Sequence, residues 1–397
     1  MTTLPAAESR PRLLGVYAHP DDETFCTGGI FAKYASVGCE IMVVSATRGQ
    51  AGQIRSGSIA TRRTLADVRE HELRLACERL GVEHVVCWEY LDGTLQEVDG
   101  VELEERIARV IRSFRPDVVF TFGGDGAYGH PDHVAISRAT TAACARAADL
   151  RYFPEHQTDG LRASGPRRLY HAAFPRRGLL LQERLVTWLI DQGPDFKGDP
   201  AFVDGLLALA EQAASLKYVD DHHEVKWFPS DFSIVEQGEP ATALFLLLAG
   251  HADVLREDEA CTRRFVTRLV PGQFFGEQGI ASRSPRNAHV VAVGGAACLV
   301  LSPRRPTLFE GRGEGARLVS REAAGSADVA VGDATVGVDV TEFLRPKLTA
   351  IAAYRSQFPL RPDMLPATIF RDLFGFEYFT AVLPVGERIT ELHVADG

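Results

Sequence analysis

The 397-residue chain is short of several things. It has seven cysteines, at positions 26, 39, 77, 87, 144, 261 and 298, and no CxxC pair among them. An odd, scattered set argues against a disulfide framework or a cysteine-ligated zinc, and for a reducing cytoplasm. Positive charge is in deficit: 43 Lys and Arg against 53 Asp and Glu give a formal net charge of −10. That balance is a poor basis for wrapping nucleic acid, whose binding rests on neutralising phosphates. Apolar runs such as LLGVYA and TALFLLLAG are too short to span a bilayer. The opening MTTLPAAESRPR has no apolar segment behind a charged one, so no signal peptide is expected. With 45% hydrophobic and 24% charged residues, the composition excludes a disordered or collagen-like chain. The length suggests two or three domains.

What is present starts as alternating strand and helix. Leu13–Ala18, EIMVVSAT, HVVCWEYLDG, DVVFTFGG and RRLYHAAFP read as strands. Between them, Glu23–Val37, Thr61–Leu80 (with Gly81 as C-cap), Val101–Phe114 and His133–Ala148 read as helices. Apolar strands separated by helices imply a parallel sheet covered on both faces, with ligands gathering at the carboxyl ends of its strands. After Pro175 the pattern changes. Gln182–Ile190 and Ala201–Lys217 read as helices, and Glu224–Leu301 as short strands with glycine turns, an all-β sandwich or jelly roll. Arg312–Val331 reads as a weak helix and linker, VGVDV as a strand, and Thr341–Ser356 as helix.

Two clusters carry chemistry. His19-Pro20-Asp21-Asp22-Glu23 ends the first strand, and Tyr128-Gly129-His130-Pro131-Asp132-His133 follows the fourth. More than a hundred residues separate them in sequence, yet both fall on one edge of the sheet. Two histidines and a carboxylate suit a catalytic Zn²⁺ with a position left for water, and a ferrous two-His-one-carboxylate site is the other metal reading. The doubled Asp offers one carboxylate for metal and one for base, which fits hydrolysis better than oxygen activation. A lone HPD turn, by contrast, is ordinary helix capping. Arg48 and Asp92, on the loops after the second and third strands, are placed to hold substrate hydroxyls, or else are surface charge.

AHPDDE and YGHPDH, with LDG between them and K-x4-A-x2-R-S-Q near the end, resemble the PIG-L/LmbE-type zinc-dependent N-acetylglucosamine deacetylases over roughly residues 10–180 and 335–385. The resemblance implies a Rossmann-like fold, zinc ligands at His19, Asp22 and His133, and Asp21 as general base. It implies His130 as acid or electrostatic stabiliser, Asp132 as the holder of the His130 imidazole, and Tyr128 as an oxyanion donor. The substrate it implies is an N-acetyl amino-sugar conjugate. Two departures stand out: Gln50 where Glu commonly follows ATRG, and Tyr354 where the terminal helix often carries His.

PGQFFGEQGIASRSPRNAHV, residues 271–290, holds a Gly-Glu turn, a short helical stretch and an arginine entering a strand. Backbone N–H groups there can cradle a phosphate, Arg286 can neutralise it, and Glu277 can accept from a ribose hydroxyl. The segment resembles the phosphate cassette of cyclic-nucleotide-binding domains, over roughly residues 218–305, which implies contacts from Gly276, Glu277, Arg286, Asn287 and Ala288. Gln278 and Asn287 depart from the usual aliphatic residue and Ser/Thr, and the missing Thr leans toward cAMP over cGMP.

The expected layout is a deacetylase α/β domain in two pieces, 1–180 and 335–397, interrupted by connecting helices (181–217), a jelly roll (218–310) and a linker (311–334). The expected function is cytoplasmic, zinc-dependent de-N-acetylation of an N-acetylglucosaminyl conjugate, regulated by a cyclic nucleotide. The alternative is a cyclic-nucleotide sensor using the α/β domain as scaffold, and self-association is left open.

Overall fold

The structure, a computed structural model, describes residues 10–54, 58–174, 181–193, 195–215, 224–302, 309–310, 317–318 and 335–384. In chain order, the first part contains β1 (Arg12–Tyr17), α1 (Asp22–Ser36), β2 (Glu40–Thr47), α2 (Leu65–Leu80), β3 (His84–Tyr90), α3 (Gly100–Phe114), β4 (Val118–Phe122), α4 (Pro131–Ala147) and β5 (Arg168–Ala173). The middle part contains α5 (Leu181–Gln192), α6 (Pro200–Ser215), β6 (Glu224–Phe228), β7 (Ser233–Val235), β8 (Leu244–Glu257), β9 (Arg263–Leu269), β10 (Phe274–Phe275), the short α7 (Glu277–Ser282) and β11 (His289–Leu301). The last contains β12 (Thr335–Asp339), α8 (Leu344–Ile351), α9 (Ala367–Phe374) and β13 (Phe376–Leu383). The chain forms two compact units, one of Met1–Pro175 with Ala330–Gly397, the other of Arg176–Val329. Among the described residues, no helix is long and apolar enough to cross a membrane.

The first unit is built on one seven-stranded sheet, ordered β12-β13-β5-β4-β1-β2-β3. Strands β3, β2, β1, β4 and β5 are parallel, as their continuous apolar sequences require. Leu13, Leu14, Val16, Ile41, Val44, Val119 and Phe120 have no appreciable exposure, because helices cover both faces. The helix α3 shows how: Leu103, Ile107, Ile111 and Phe114 fall on one stripe and are buried. The expected all-parallel sheet is corrected at one edge, where β13 runs antiparallel to β5 and β12 antiparallel to β13. The chain therefore leaves the sheet from β5 and re-enters at β12, the two strands that flank β13.

The helix expected over Thr341–Ser356 ends at Ile351. Beyond it the chain turns, with Tyr354 and Ser356 both buried. The helix expected from Thr61 starts at Leu65. In the second unit β10, β8, β11 and β6 pair in that order, β9 adds to β8 and β7 to β11, all antiparallel. Leu247, Ala252, Ala292, Ala296 and Cys298 form its core. The weak helix expected over Arg312–Val331 lies, but for two residues, outside the described residues.

Candidate active site

His19 lies two residues past β1, and the chain must turn at once into α1. Asp21 makes that turn with a left-handed backbone, φ 104° and ψ −29°, which is costly for a residue with a Cβ. The Asp22 carboxylate accepts from the His19 backbone N–H at 2.8 Å. Across the sheet edge, His130 caps α4, its Nδ1 accepting from the Asp132 N–H at 3.2 Å with Pro131 at the first helical position. His133, in the first turn, lies flat on Phe122 with ring centroids 4.0 Å apart.

The two clusters meet. His19 Nδ1 is 3.1 Å from His133 Nε2. Asp22 Oδ1 is 3.4 Å from His133 Nε2, and Asp22 Oδ2 is 3.6 Å from His19 Nδ1. All three residues are less than a tenth exposed. Their far atoms fix the proton positions. His19 Nε2 faces the carboxylates of Asp92 at 3.0 Å and Asp132 at 3.2 Å, so the ring proton belongs there. His133 Nδ1 faces the Gly126 carbonyl at 3.2 Å, which only accepts. His19 Nδ1, His133 Nε2 and the Asp22 carboxylate thus converge on one point, which a proton on His19 Nδ1 or a bound cation would fill. Tetrahedral bonds of about 2.0–2.1 Å put ligand atoms roughly 3.3 Å apart, so the spacing fits Zn²⁺. Two carboxylates behind one ligand imidazole are the usual outer support of such a site. One ring nitrogen of His130 also comes within 4.8 Å of one nitrogen each of His19 and His133.

The electrostatics follow from burial and these contacts. Burial opposes charge on His19, but the hydrogen bonds to Asp132, Asp22 and Asp92 outweigh it and hold its pKa well above the ordinary imidazole value. Burial lowers His133 to about 4. Asp22 stays below the usual carboxylate range despite burial, because His133 and His19 face it. Burial raises Asp21, with Arg69 opposing. It also raises Glu23 to about 8 against the hydrogen bond from Tyr354. Tyr128 is pushed up by burial, so it remains a phenol able to donate.

Three of the expected site residues have partners that the sequence did not show. The Asp132 carboxylate sits on His19 and on the backbone N–H groups of Gly93 (2.7 Å) and Leu95 (2.9 Å), while the His130 ring accepts from the Asp132 backbone N–H. Asp132 is in the first turn of the helix that His130 caps, and its side chain points inward, fully buried. Asp92 has one oxygen on His19 and the other on the Ala51 N–H at 2.8 Å. The Arg48 guanidinium is engaged by Asp67 at 2.6 Å and Glu70 at 2.8 Å.

In the second unit, Gly276 adopts φ 92° before α7. The buried Arg286 guanidinium donates to the Gly276 carbonyl at 2.7 Å and the Ala243 carbonyl at 2.6 Å, which draws Gly276, Glu277, Asn287 and Ala288 into one cassette. Arg286 Nε is buried with no hydrogen-bond partner among the described residues. Asn287, expected to face a phosphate, donates its amide to Gln278 Oε1 at 2.5 Å.

Residues 14–144 match the family model for GlcNAc-PI de-N-acetylase, PIG-L, and residues 225–305 the one for the cyclic nucleotide-binding domain. The chain is 35% identical to a 1D-myo-inositol 2-acetamido-2-deoxy-alpha-D-glucopyranoside deacetylase of Thermobifida fusca, over 46% of this chain and 68% of that protein. The chain belongs to the PIG-L family. It carries a cyclic nucleotide-binding domain within the span of that fold. A Saccharopolyspora erythraea protein of the same description is 29% identical over 61% of this chain and 77% of its own length. Among solved structures, the Pyrococcus horikoshii N,N'-diacetylchitobiose deacetylase is 23% identical with a TM-score of 0.37, covering 41% of this chain and 60% of that one.

Within this PIG-L chain, one residue at the cluster had escaped the sequence reading. Arg69 of α2, 4% exposed, donates to the Pro20 carbonyl at 2.5 Å, to Asp21 Oδ2 at 2.9 Å and to the Gly49 carbonyl at 2.8 Å. A signal was there to find. Leu65, Arg69, Glu72, Leu73, Ala76 and Leu80 form one buried stripe of α2, and two charges on a core stripe call for partners.

Proposed function

We propose that this chain hydrolyses the acetamide of an N-acetylglucosaminyl conjugate, of the inositol-linked kind named for its relatives, with a Zn²⁺ ion held by His19, Asp22 and His133. The reading is carried by the convergence of two imidazole nitrogens and a carboxylate, 3.1–3.6 Å apart, beside a further carboxylate that is outside the proposed ligand set. When bound, the ion supplies Lewis acidity, lowering a water's pKa toward about 7 and polarising the acetyl carbonyl. Asp21, oriented by Arg69, accepts the proton of the attacking water. His130 and the half-exposed Tyr128 are the donors on the other side, where charge develops on the carbonyl oxygen. Water adds to the carbonyl carbon, the proton that Asp21 took passes to the amide nitrogen, the C–N bond breaks, and acetate and the amine leave, with His130 Nε2–H donating to the carbonyl oxygen throughout. Asp92 and Asp132 keep the His19 proton on Nε2 throughout. Acetate release from 1D-myo-inositol 2-acetamido-2-deoxy-alpha-D-glucopyranoside by the zinc-loaded protein tests this. A folded, zinc-loaded protein that releases none would defeat it.

A second reading is favoured by the match of residues 225–305 to the cyclic nucleotide-binding domain and by the buried Arg286 of the cassette, whose Nε makes no hydrogen bond among the described residues and has only Glu239 at 3.9 Å: the inserted domain binds a cyclic nucleotide, cAMP before cGMP, and so regulates the hydrolase. Calorimetric titration with cAMP should give saturable heat that Arg286→Lys abolishes. Binding without any hydrolysis would instead favour the sensor.

A further inference from the structure

The strained turn at Asp21 is held from both ends. Its backbone N–H donates to Glu23 Oε2 at 3.1 Å, and its carbonyl accepts from the Thr24 hydroxyl at 2.7 Å and the Thr24 N–H at 3.0 Å. Glu23 has no exposure. Its other oxygen, Oε1, accepts from the Tyr354 hydroxyl at 2.5 Å, and Tyr354 is likewise without exposure. A buried carboxyl with both oxygens engaged has one orientation available, and the N–H it accepts from belongs to the residue with the left-handed backbone.

Tyr354 does not stand alone. It lies in a segment that returns to the sheet unit after the other unit, more than three hundred residues beyond Glu23 in sequence. The same segment puts the Ser356 N–H and hydroxyl on Glu72, at 2.8 and 2.6 Å, and the Gln357 amide on the Gln53 carbonyl at 2.8 Å. Glu72 shares the buried stripe of α2 with Arg69, which grips Pro20 and Asp21. The returning segment therefore braces the turn along two routes, through Glu23 and through α2.

We infer that Glu23 and Tyr354 are positioning residues that hold the Asp21 backbone in its left-handed turn and so aim its carboxylate at the reacting water. Neither belongs to the ligand trio, so their loss leaves the cation site standing while Asp21 swings. The kinetic part rests on the hydrolase reading; the geometric part does not.

The test takes the full chain as wild type, Glu23→Ala, Glu23→Gln and Tyr354→Phe, and reads two quantities. The first is amide hydrogen exchange of the segment 19–25 without substrate. It should quicken by about tenfold or more in Glu23→Ala, and less in Tyr354→Phe, while β4 and β1 stay protected. The second is acetate release. Glu23→Ala should lose about a hundredfold in kcat with KM and zinc content little changed, Tyr354→Phe about tenfold, and Glu23→Gln, which keeps an acceptor for the Asp21 N–H, should recover most of the rate. Unchanged exchange in folded Glu23→Ala overturns the inference. If that variant does not fold, Tyr354→Phe, which lacks one hydroxyl only, decides the matter: unchanged exchange and unchanged kcat overturn it. A wild type that releases no acetate defeats the hydrolase reading, while quickened exchange in the variants still upholds the brace.

Discussion

Replacing Lys347 by Met should destabilise the sheet unit by about 3–5 kcal/mol, the usual cost of breaking a buried ion pair from one side. Lys347 and Glu377 are 1% and 3% exposed, and their charged atoms are 2.7 Å apart. Glu377 also accepts from the Gly29 and Ile30 N–H groups in the middle of α1, at 2.7 and 2.9 Å. Lys347 Nζ has one more acceptor, the Phe25 carbonyl at 3.5 Å. With Lys347 gone, a carboxylate stays buried against two neutral donors. With Glu377 changed to Gln, an ammonium stays buried with one long contact to a backbone carbonyl and a neutral amide. Each single change strands a charge, so the double variant Lys347→Met/Glu377→Gln strands none. It should be less destabilised than the sum of the singles by about 2–3 kcal/mol. A unit of this size loses about 2–4 °C of Tm per kcal/mol, so each single should melt about 6–20 °C lower. Scanning calorimetry of the four proteins reads this, using the transition that moves with Lys347→Met. Strictly additive losses, or a single variant within 1 °C of wild type, would refute the assignment of the pair as a mutually dependent buried unit.

Other expectations follow from single contacts. Asp92→Asn should weaken zinc binding about tenfold to a hundredfold, because one of the two carboxylates on His19 Nε2 loses its charge; competition with a chromophoric chelator measures it, and unaltered affinity would return Asp92 to a substrate role. Asp21→Asn should cut acetate release by about 10²–10⁴-fold with zinc still bound, and full activity would remove Asp21 as the base. Gly29→Ala should cost about 1–3 kcal/mol in urea unfolding, since a Cβ there would lie 2.5 Å from Val340; a neutral change would mean α1 can move away without loss. Arg48→Ala should alter stability by less than about 1 kcal/mol, since its partner Asp67 is largely exposed and its other partner, Glu70, keeps Arg74; a larger loss would show these pairs to be stronger than exposed pairs are.

How far the sequence could be read depended on where the physics is local. The parallel strands were legible because both faces are covered and the apolar runs are continuous, as in LLGVY and VVFTF. The antiparallel edge was not: FEYFTAVL and TVGVD state that they are strands, but strand direction depends on where the chain re-enters after the second unit. The meeting of the two histidine clusters was legible because strand ends in such a sheet share an edge. The contacts of Asp92 and Asp132 with His19 were not legible. The family resemblance implied that Asp132 holds the His130 ring, whereas the first turn of α4 aims its carboxylate at His19. Tyr354 showed only as a departure from the family pattern. Its partner, Glu23, lies at the far end of the chain, and no local pattern links them.

The most direct test of the account is zinc titration of the demetallated, folded chain alongside His133→Ala. The account predicts one tightly bound equivalent in the wild type, with the affinity lost in the variant, because Nε2 of His133 is one corner of the converging trio. A folded wild type that binds no zinc, or a His133→Ala variant that binds it equally well, would contradict it.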